Sequence, residues 1–302
     1  MSEHALVFVA DPSDKPAYRE ALLMLGRVAF SRKLPPPAVL SGWEAAEWIY
    51  PQIDGELRQE AAAAVAELPV DWALTPIAAR RKQLLVADMD STIINVECLN
   101  ELADYAGLKA DIAAITERAM KGELAFEPAL RERVGKLKGL ALSALQRTYE
   151  ERVRLNPGAE TLVRTMARHG AHCVLVSGGF TFFTERVAKA AGFHGHRANI
   201  LLDDGAALSG KVQEPILGRA AKLEALQSEA KALDISAAAT LAIGDGANDL
   251  DMIKAAGLGL AYRAKPLVAA EAQARIDHTA LTSALFFQGY RRDEFWTPGA
   301  VH

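Results

Sequence analysis

Two carboxylates one residue apart stand directly behind an apolar run: Leu84-Leu85-Val86-Ala87 is followed by Asp88-Met89-Asp90-Ser91-Thr92. Charges at the end of a buried strand are costly unless a cation or a substrate uses them. A second acidic group, Gly244-Asp245-Gly246-Ala247-Asn248-Asp249, follows Leu241-Ala242-Ile243 in the same way. Its glycines permit a tight backbone turn. Gathered at one place, these four carboxylates repel one another. Oxygen ligands without Cys or His suit Mg²⁺, which takes one or two carboxylates together with water and phosphate oxygens. Either cluster alone also reads as a solvated loop or helix cap; both, after matched strands, favour a metal-assisted phosphate site. A third run, Cys173-Val174-Leu175-Val176, ends at Ser177-Gly178-Gly179. There a hydroxyl and close-approach N–H groups suit a phosphate, although a plain tight turn has the same composition. Lys222 carries no local signal that separates it from a surface lysine.

Each run is followed by a helical stretch, and strands alternating with helices predict an α/β fold with a parallel sheet covered on both faces. Ligands of such sheets bind beyond the carboxyl ends of the strands, so the three polar strand ends converge. About eighty residues separate the first two runs, more than one crossover helix needs. Helices are expected at 96–106, 110–120, 126–137 and 143–153, stopped in turn by Gly107, Gly122, Gly139 and Asn156-Pro157-Gly158. They form an inserted helical cap at about 95–156. The turn Asp203-Asp204-Gly205 predicts a β-hairpin before Lys222. Upstream of the basic stretch Arg80-Arg81-Lys82 the signals weaken: a strand at 5–9, a helix at 15–25, a proline-rich loop at 33–37, a helix at 55–67 and a strand at 70–74. Residues 1–80 are therefore read as a small α+β domain for packing, dimerisation or regulation, and 81–302 as the domain that carries chemistry.

The 302 residues, 50% of them hydrophobic and 24% charged, suffice for two domains with a sizeable core and exclude disorder as the main state. A net charge of −4 gives no general attraction for a polyanion, which argues against nucleic acid as partner. Two cysteines, Cys98 and Cys173, indicate neither a disulfide framework nor a structural zinc, and a reducing cytoplasm fits. The opening apolar run at 5–10 stops at Asp11, short for a signal-peptide core, and nothing approaches a membrane span. The P-loop, the GxSxG elbow and HExxH are absent from the sequence.

In this order, strand-DxDST, strand-SGG, Lys222 and strand-GDGANDxxM resemble the haloacid dehalogenase superfamily of aspartate-nucleophile phosphatases, over roughly residues 84–277. The resemblance implies a Rossmannoid parallel sheet with an inserted helical cap. The N-terminal region is similar at most to a short or degenerate ACT-like domain. Asp88 would be the nucleophile, forming an aspartyl-phosphate, and Asp90 the general acid and then base. Mg²⁺ would be bound by Asp88, the Asp90 carbonyl and Asp245, with Asp249 close by; Ser177, the Gly178 N–H, Lys222 and Asn248 would hold the phosphoryl group. In the cap, Glu97, Ala119-Met120-x-Gly122, Phe126 and Arg133 resemble the branch that hydrolyses O-phospho-L-serine in serine biosynthesis. Phe126, Leu130, Arg133 and Leu137 share one helical face. Arg133 either snorkels to water or offers its fork to an α-carboxylate. Glu97 would then take the α-ammonium group, while Met120 and Phe126 would shield the site or simply fill the core. Another small phosphomonoester, phosphoryl transfer to a second amino-acid alcohol, and a non-catalytic amino-acid-binding regulator remain as alternatives. Neither nucleic acid nor membrane is expected as partner, and a homodimer through the N-terminal domain is left open.

Overall fold

The computed structural model describes residues 3–120 and 123–299, the Met120 side chain excepted. The chain begins β1 (His4–Ala10), α1 (Lys15–Ser31), β2 (Ala38–Ser41), β3 (Ala45–Tyr50), α2 (Leu57–Ala64) and β4 (Val70–Pro76). These strands form an antiparallel sheet in the order β2-β3-β1-β4, the split βαββαβ arrangement. The Asp14 carboxylate starts α1 by accepting from Ala17 N at 3.0 Å, with Pro16 in the first turn. Successive β1 side chains point to opposite faces. Leu6, Phe8 and Ala10 pack under the helices with Tyr18, Leu25 and Trp48, whereas Ala5, Val7 and Val9 join the core of the remaining chain.

Two differences from the sequence reading have local causes. α1 runs six residues past the expected end at 25, through Gly26, because Leu25 and Ala29 are buried and a Cβ on Gly26 would still clear the Trp48 ring by 3.8 Å. Packing outweighs the ~1 kcal/mol penalty of a mid-helix glycine. No element was expected at 38–50, where the β2–β3 hairpin forms. It turns at Gly42 and Trp43, the latter at φ 62°; both strands carry apolar residues, but β2 is four residues long and neither strand alternates apolar with polar residues.

The second part holds β5 (Leu84–Ala87), then α3 (Cys98–Tyr105), α4 (Lys109–Met120), α5 (Phe126–Lys136) and α6 (Leu142–Arg152). It continues with α7 (Ala159–Arg168), β6 (His172–Phe180), α8 (Thr181–Ala191), β7 (Gly195–Asn199), β8 (Leu201–Asp203), β9 (Leu208–Val212) and α9 (Arg219–Ala232). β10 (Thr240–Gly244), α10 (Leu250–Ala255), β11 (Leu258–Tyr262), α11 (Pro266–Glu271), β12 (Ala274–Ile276) and α12 (Ser283–Phe287) complete it. Six strands make a parallel sheet in the order β12-β11-β10-β5-β6-β7. This is the parallel sheet with inserted helices that the resemblance implied.

The helical insertion α3–α6 is tied down at its base and at its side. Asn156 Nδ2 donates to Thr92 O and Ile94 O at 2.8 and 3.0 Å, joining the two linkers. The β8–β9 hairpin accepts from the insertion through Leu208 O, from Gly139 N at 2.8 Å, and through Ala206 O, from Leu142 N at 3.0 Å. The N-terminal sheet docks through β4, where the Asp71 carboxylate accepts from Asp277 N, Thr279 N and Thr279 Oγ1 at 2.8, 2.9 and 2.5 Å. Among the described residues no helix is long and apolar enough to cross a membrane.

Candidate active site

β5 and β10 run side by side with Ala87 paired to Ile243, and Asp88 N continues the ladder by donating to Ile243 O at 3.0 Å. Their next residues therefore leave the sheet together. One carboxylate oxygen each from Asp88, Asp245 and Asp249 lies within 4.8 Å of the others. Asp249 folds back beneath its own turn: a Cβ on Gly244 would sit 2.4 Å from Asp249 Cγ, so only glycine admits it. Gly246 N donates to Asp249 Oδ2 at 3.0 Å. Thr92 Oγ1 donates to Asp245 Oδ1 at 3.1 Å, linking the turn after β5 to the turn after β10.

Lys222, in the first turn of α9, reaches into this cluster. Its Nζ lies 2.6 Å from Asp88 Oδ1 and 2.5 Å from Asp249 Oδ1, and the residue is 2% exposed. Burial works against its charge, but the two carboxylates outweigh that and raise its pKa. Three carboxylates still face one ammonium. Burial and then Asp249 push Asp88 well above the usual carboxylate range, and the same two causes push Asp245 up to about 6. Hard oxygen donors with surplus negative charge fit a divalent cation.

Asp90 belongs to the same turn but faces elsewhere. Ser91 takes a left-handed conformation, φ 58°, and the turn sends Asp90 Oδ1 to Cys98 N at 3.0 Å and Oδ2 to within 3.4 Å of Ser177 Oγ. Burial and then the Glu97 charge push Asp90 up to about 7. Ser177 Oγ also accepts from Gly179 N at 2.9 Å. A Cβ on Gly179 would lie 3.0 Å from Asp90 Oδ2, so glycine permits this approach.

The insertion covers the site from α5. A Cβ on Gly178 would lie 3.3 Å from Phe126 Cζ, and one on Gly218 would lie 3.5 Å from Phe126 Cδ1; the ring thus spans the end of β6 and the start of α9. Arg133 is half-buried on α5, with Leu130 and Leu137 buried on the same face. Its Nε donates only to Ala129 O of its own helix, at 3.2 Å among the described contacts, and burial lowers its pKa against the opposing charge of Glu97. Glu97 is exposed and accepts from Ser91 Oγ at 2.9 Å. Asn248 is exposed, its Oδ1 folded over Gly246. The Met120 side chain and Gly122 lie outside the described residues.

One residue of this neighbourhood went unread in the sequence. Asn199 ends β7 and is 2% exposed. Its Nδ2 donates to Gly178 O at 2.9 Å and to Leu217 O at 3.2 Å, and its Oδ1 accepts from Leu217 N at 2.7 Å. It clamps the end of β6 to the residues preceding α9. No local signal marked it: β7 reads Gly195-His196-Arg197-Ala198 ahead of the asparagine, unlike the apolar runs that end at the other three polar residues.

A helically covered parallel sheet whose strand ends assemble an acidic, cation-accepting cluster around a buried lysine defines a class of hydrolase. The family model described as haloacid dehalogenase-like hydrolase matches residues 85–254, and the chain belongs to that family. It is 44% identical over 208 residues to a phosphoserine phosphatase of Polaromonas sp., covering 67% of this chain and 88% of that one. A probable phosphoserine phosphatase from Vibrio cholerae in unliganded form matches with a TM-score of 0.75 and 30% identity, covering 95% of this chain and 86% of its own. A phospho-aspartyl intermediate analogue of phosphoserine phosphatase matches with a TM-score of 0.63 and 36% identity, covering 68% of this chain and 99% of that one.

Proposed function

We infer that the protein hydrolyses O-phospho-L-serine to L-serine and phosphate, closing a route of serine biosynthesis, with Asp88 as nucleophile and Asp90 as its acid and base. The observation that carries this reading is the divergence of two carboxyl groups in one turn. Asp88 faces Lys222, whereas Asp90 faces Cys98 N and Ser177 and is held near pKa 7 by burial and Glu97. The Lys222 ammonium favours the ionised, attacking form of Asp88 against the burial and Asp249 charge that raise it, and a carboxyl still protonated near neutrality is suited to donate.

Asp88 attacks phosphorus, and the bond from phosphorus to the serine oxygen breaks as Asp90 gives that oxygen its proton. The Asp90 carboxylate then takes a proton from the water that attacks the aspartyl-phosphate, releasing phosphate and Asp88. Mg²⁺, held by Asp88, the Asp90 carbonyl and Asp245 with Asp249 beside them, would keep Asp88 ionised and neutralise phosphoryl oxygens. Ser177, the Gly178 N–H, Lys222 and Asn248 hold those oxygens as charge spreads over them. At the other end of the substrate Arg133 takes the carboxylate and Glu97 the ammonium group. A half-buried guanidinium whose one described partner is a carbonyl gains most from a bidentate anion. Phe126 and Met120 keep water out. Residues 1–80 serve as a regulatory or dimerisation domain, 81–302 as the phosphatase with its cap at about 95–156. A reducing cytoplasm suits the two buried free cysteines.

Phosphate release from L-phosphoserine and from phosphomonoesters without an amino-acid head, with Mg²⁺ or chelator, tests this. Chelator abolishes the activity, and Asp88→Asn lowers it by about 10⁴-fold. Arg133→Ala raises KM for L-phosphoserine by about ten-fold or more and leaves the other esters unchanged. Equal turnover of esters lacking the head would retain the nucleophile and remove the serine-specific roles of Glu97 and Arg133.

A further inference from the structure

A cleft of about 380 Å³ lies at the seam between the N-terminal sheet and the β12 edge of the parallel sheet, away from the acidic site. α2 and β4 form one wall; the stretch from α11 through β12 forms the other. Arg58, Arg275 and His278 line it, with the Trp72 indole as a flat surface. The Arg58 guanidinium stands 5.7 Å from the Trp72 ring centroid and donates to Gln273 O at 3.2 Å. Among the described ion pairs none engages Arg58, which stays partly open to solvent while burial of the rest of its side chain lowers its pKa. The acidic side chains at the seam do not supply the missing charge. Asp71 is turned into the backbone and hydroxyl donors of residues 277–279, and Asp277 lies 3.5 Å from Arg275. The volume falls in the range of small-molecule sites, and domain seams are where such sites concentrate.

We propose that this seam is a second binding site, for a small anion bearing carboxylate or phosphate groups, gripped by Arg58 and Arg275 against the face of Trp72. The site reaches the acidic cluster mechanically. Ala269 and Gln273, on and after α11, line the cleft, and at the other end of the helix Lys265 N donates to Asp245 O at 3.1 Å.

The full chain is titrated with succinate and, separately, with inorganic phosphate at constant ionic strength, following tryptophan emission. A saturable change is expected with at least one of them. It is absent in Trp72→Phe, weakened about ten-fold or more in Arg58→Gln and in Arg275→Gln, and intact in Arg133→Ala. Melting curves of each variant establish that it is folded, and the two arginine variants serve as checks on each other. A response that never saturates, that survives both arginine substitutions, or that disappears in Arg133→Ala overturns the proposal, the last by locating the anion in the acidic site.

Discussion

Lys222 stays charged at 2% exposure because Asp88 and Asp249 are 2.6 and 2.5 Å from its Nζ. Removing a buried charge from such a cluster leaves its partners uncompensated. Lys222→Met is therefore expected to lower kcat for phosphate release by on the order of 10²-fold or more and to reduce the urea midpoint, both read on one preparation. Lys82 behaves oppositely. It is 6% exposed, its Nζ donates to Ala238 O at 2.7 Å, no carboxylate is among its described partners, and burial pulls its pKa down to about 8. In the unfolded chain a lysine titrates near ~10.4, so between the two values the unfolded state binds more protons than the folded state. Stability from this group rises with pH through that window. Urea unfolding of Lys82→Met at pH 7.5 and pH 9.5 should show a gain over the wild type at the lower pH that shrinks at the higher.

Strand ends, more than helices, organise the site. β5 and β10 bring the acidic residues out together, β6 brings out the serine turn, and β7 contributes a side chain that holds two of these pieces in register. Asn199 satisfies both carbonyls and the N–H it faces, so its removal strands three half-buried polar groups. Asn199→Ala is expected to lower kcat/KM about ten-fold or more by freeing the Gly178 turn from the start of α9, while Asn199→Asp, which keeps the shape and loses both donations, does no better. Steady-state kinetics at fixed Mg²⁺ decides between this and a neutral strand end.

The two sheets share a core. Val7 and Val9 of β1 face the same apolar cluster as Phe286 and Phe287 of α12, and the Asp71 carboxylate closes the seam. The N-terminal sheet is thus buried on both faces and supports the region around β12. Asp71→Ala leaves Asp277 N and Thr279 N without their acceptor and is expected to cost about 3 kcal/mol, with a lowered midpoint in urea and a single transition for both halves. Two separated transitions would mean that the halves unfold independently.

The strands β5, β6 and β10, the four inserted helices and the β8–β9 hairpin were legible because each has a local cause: an apolar run closed by a polar residue, a 3.6-residue period stopped by glycine, an Asp-Gly turn. So were the acidic residues, since two carboxylates behind a buried strand have few other uses. The β2–β3 hairpin was not legible, because β2 is four residues long and neither Ala38–Ser41 nor Ala45–Tyr50 alternates apolar with polar residues. Nor were the contacts that make the site work. Lys222 looks like any helical lysine until α9 carries it beneath Asp88, and Asn199 acquires its partners only when β7 packs beside β6. Periodicity and turn chemistry act between near neighbours and are written in the chain; the burial of a charge and the meeting of residues on different elements are properties of packing, and only the tertiary structure decides them.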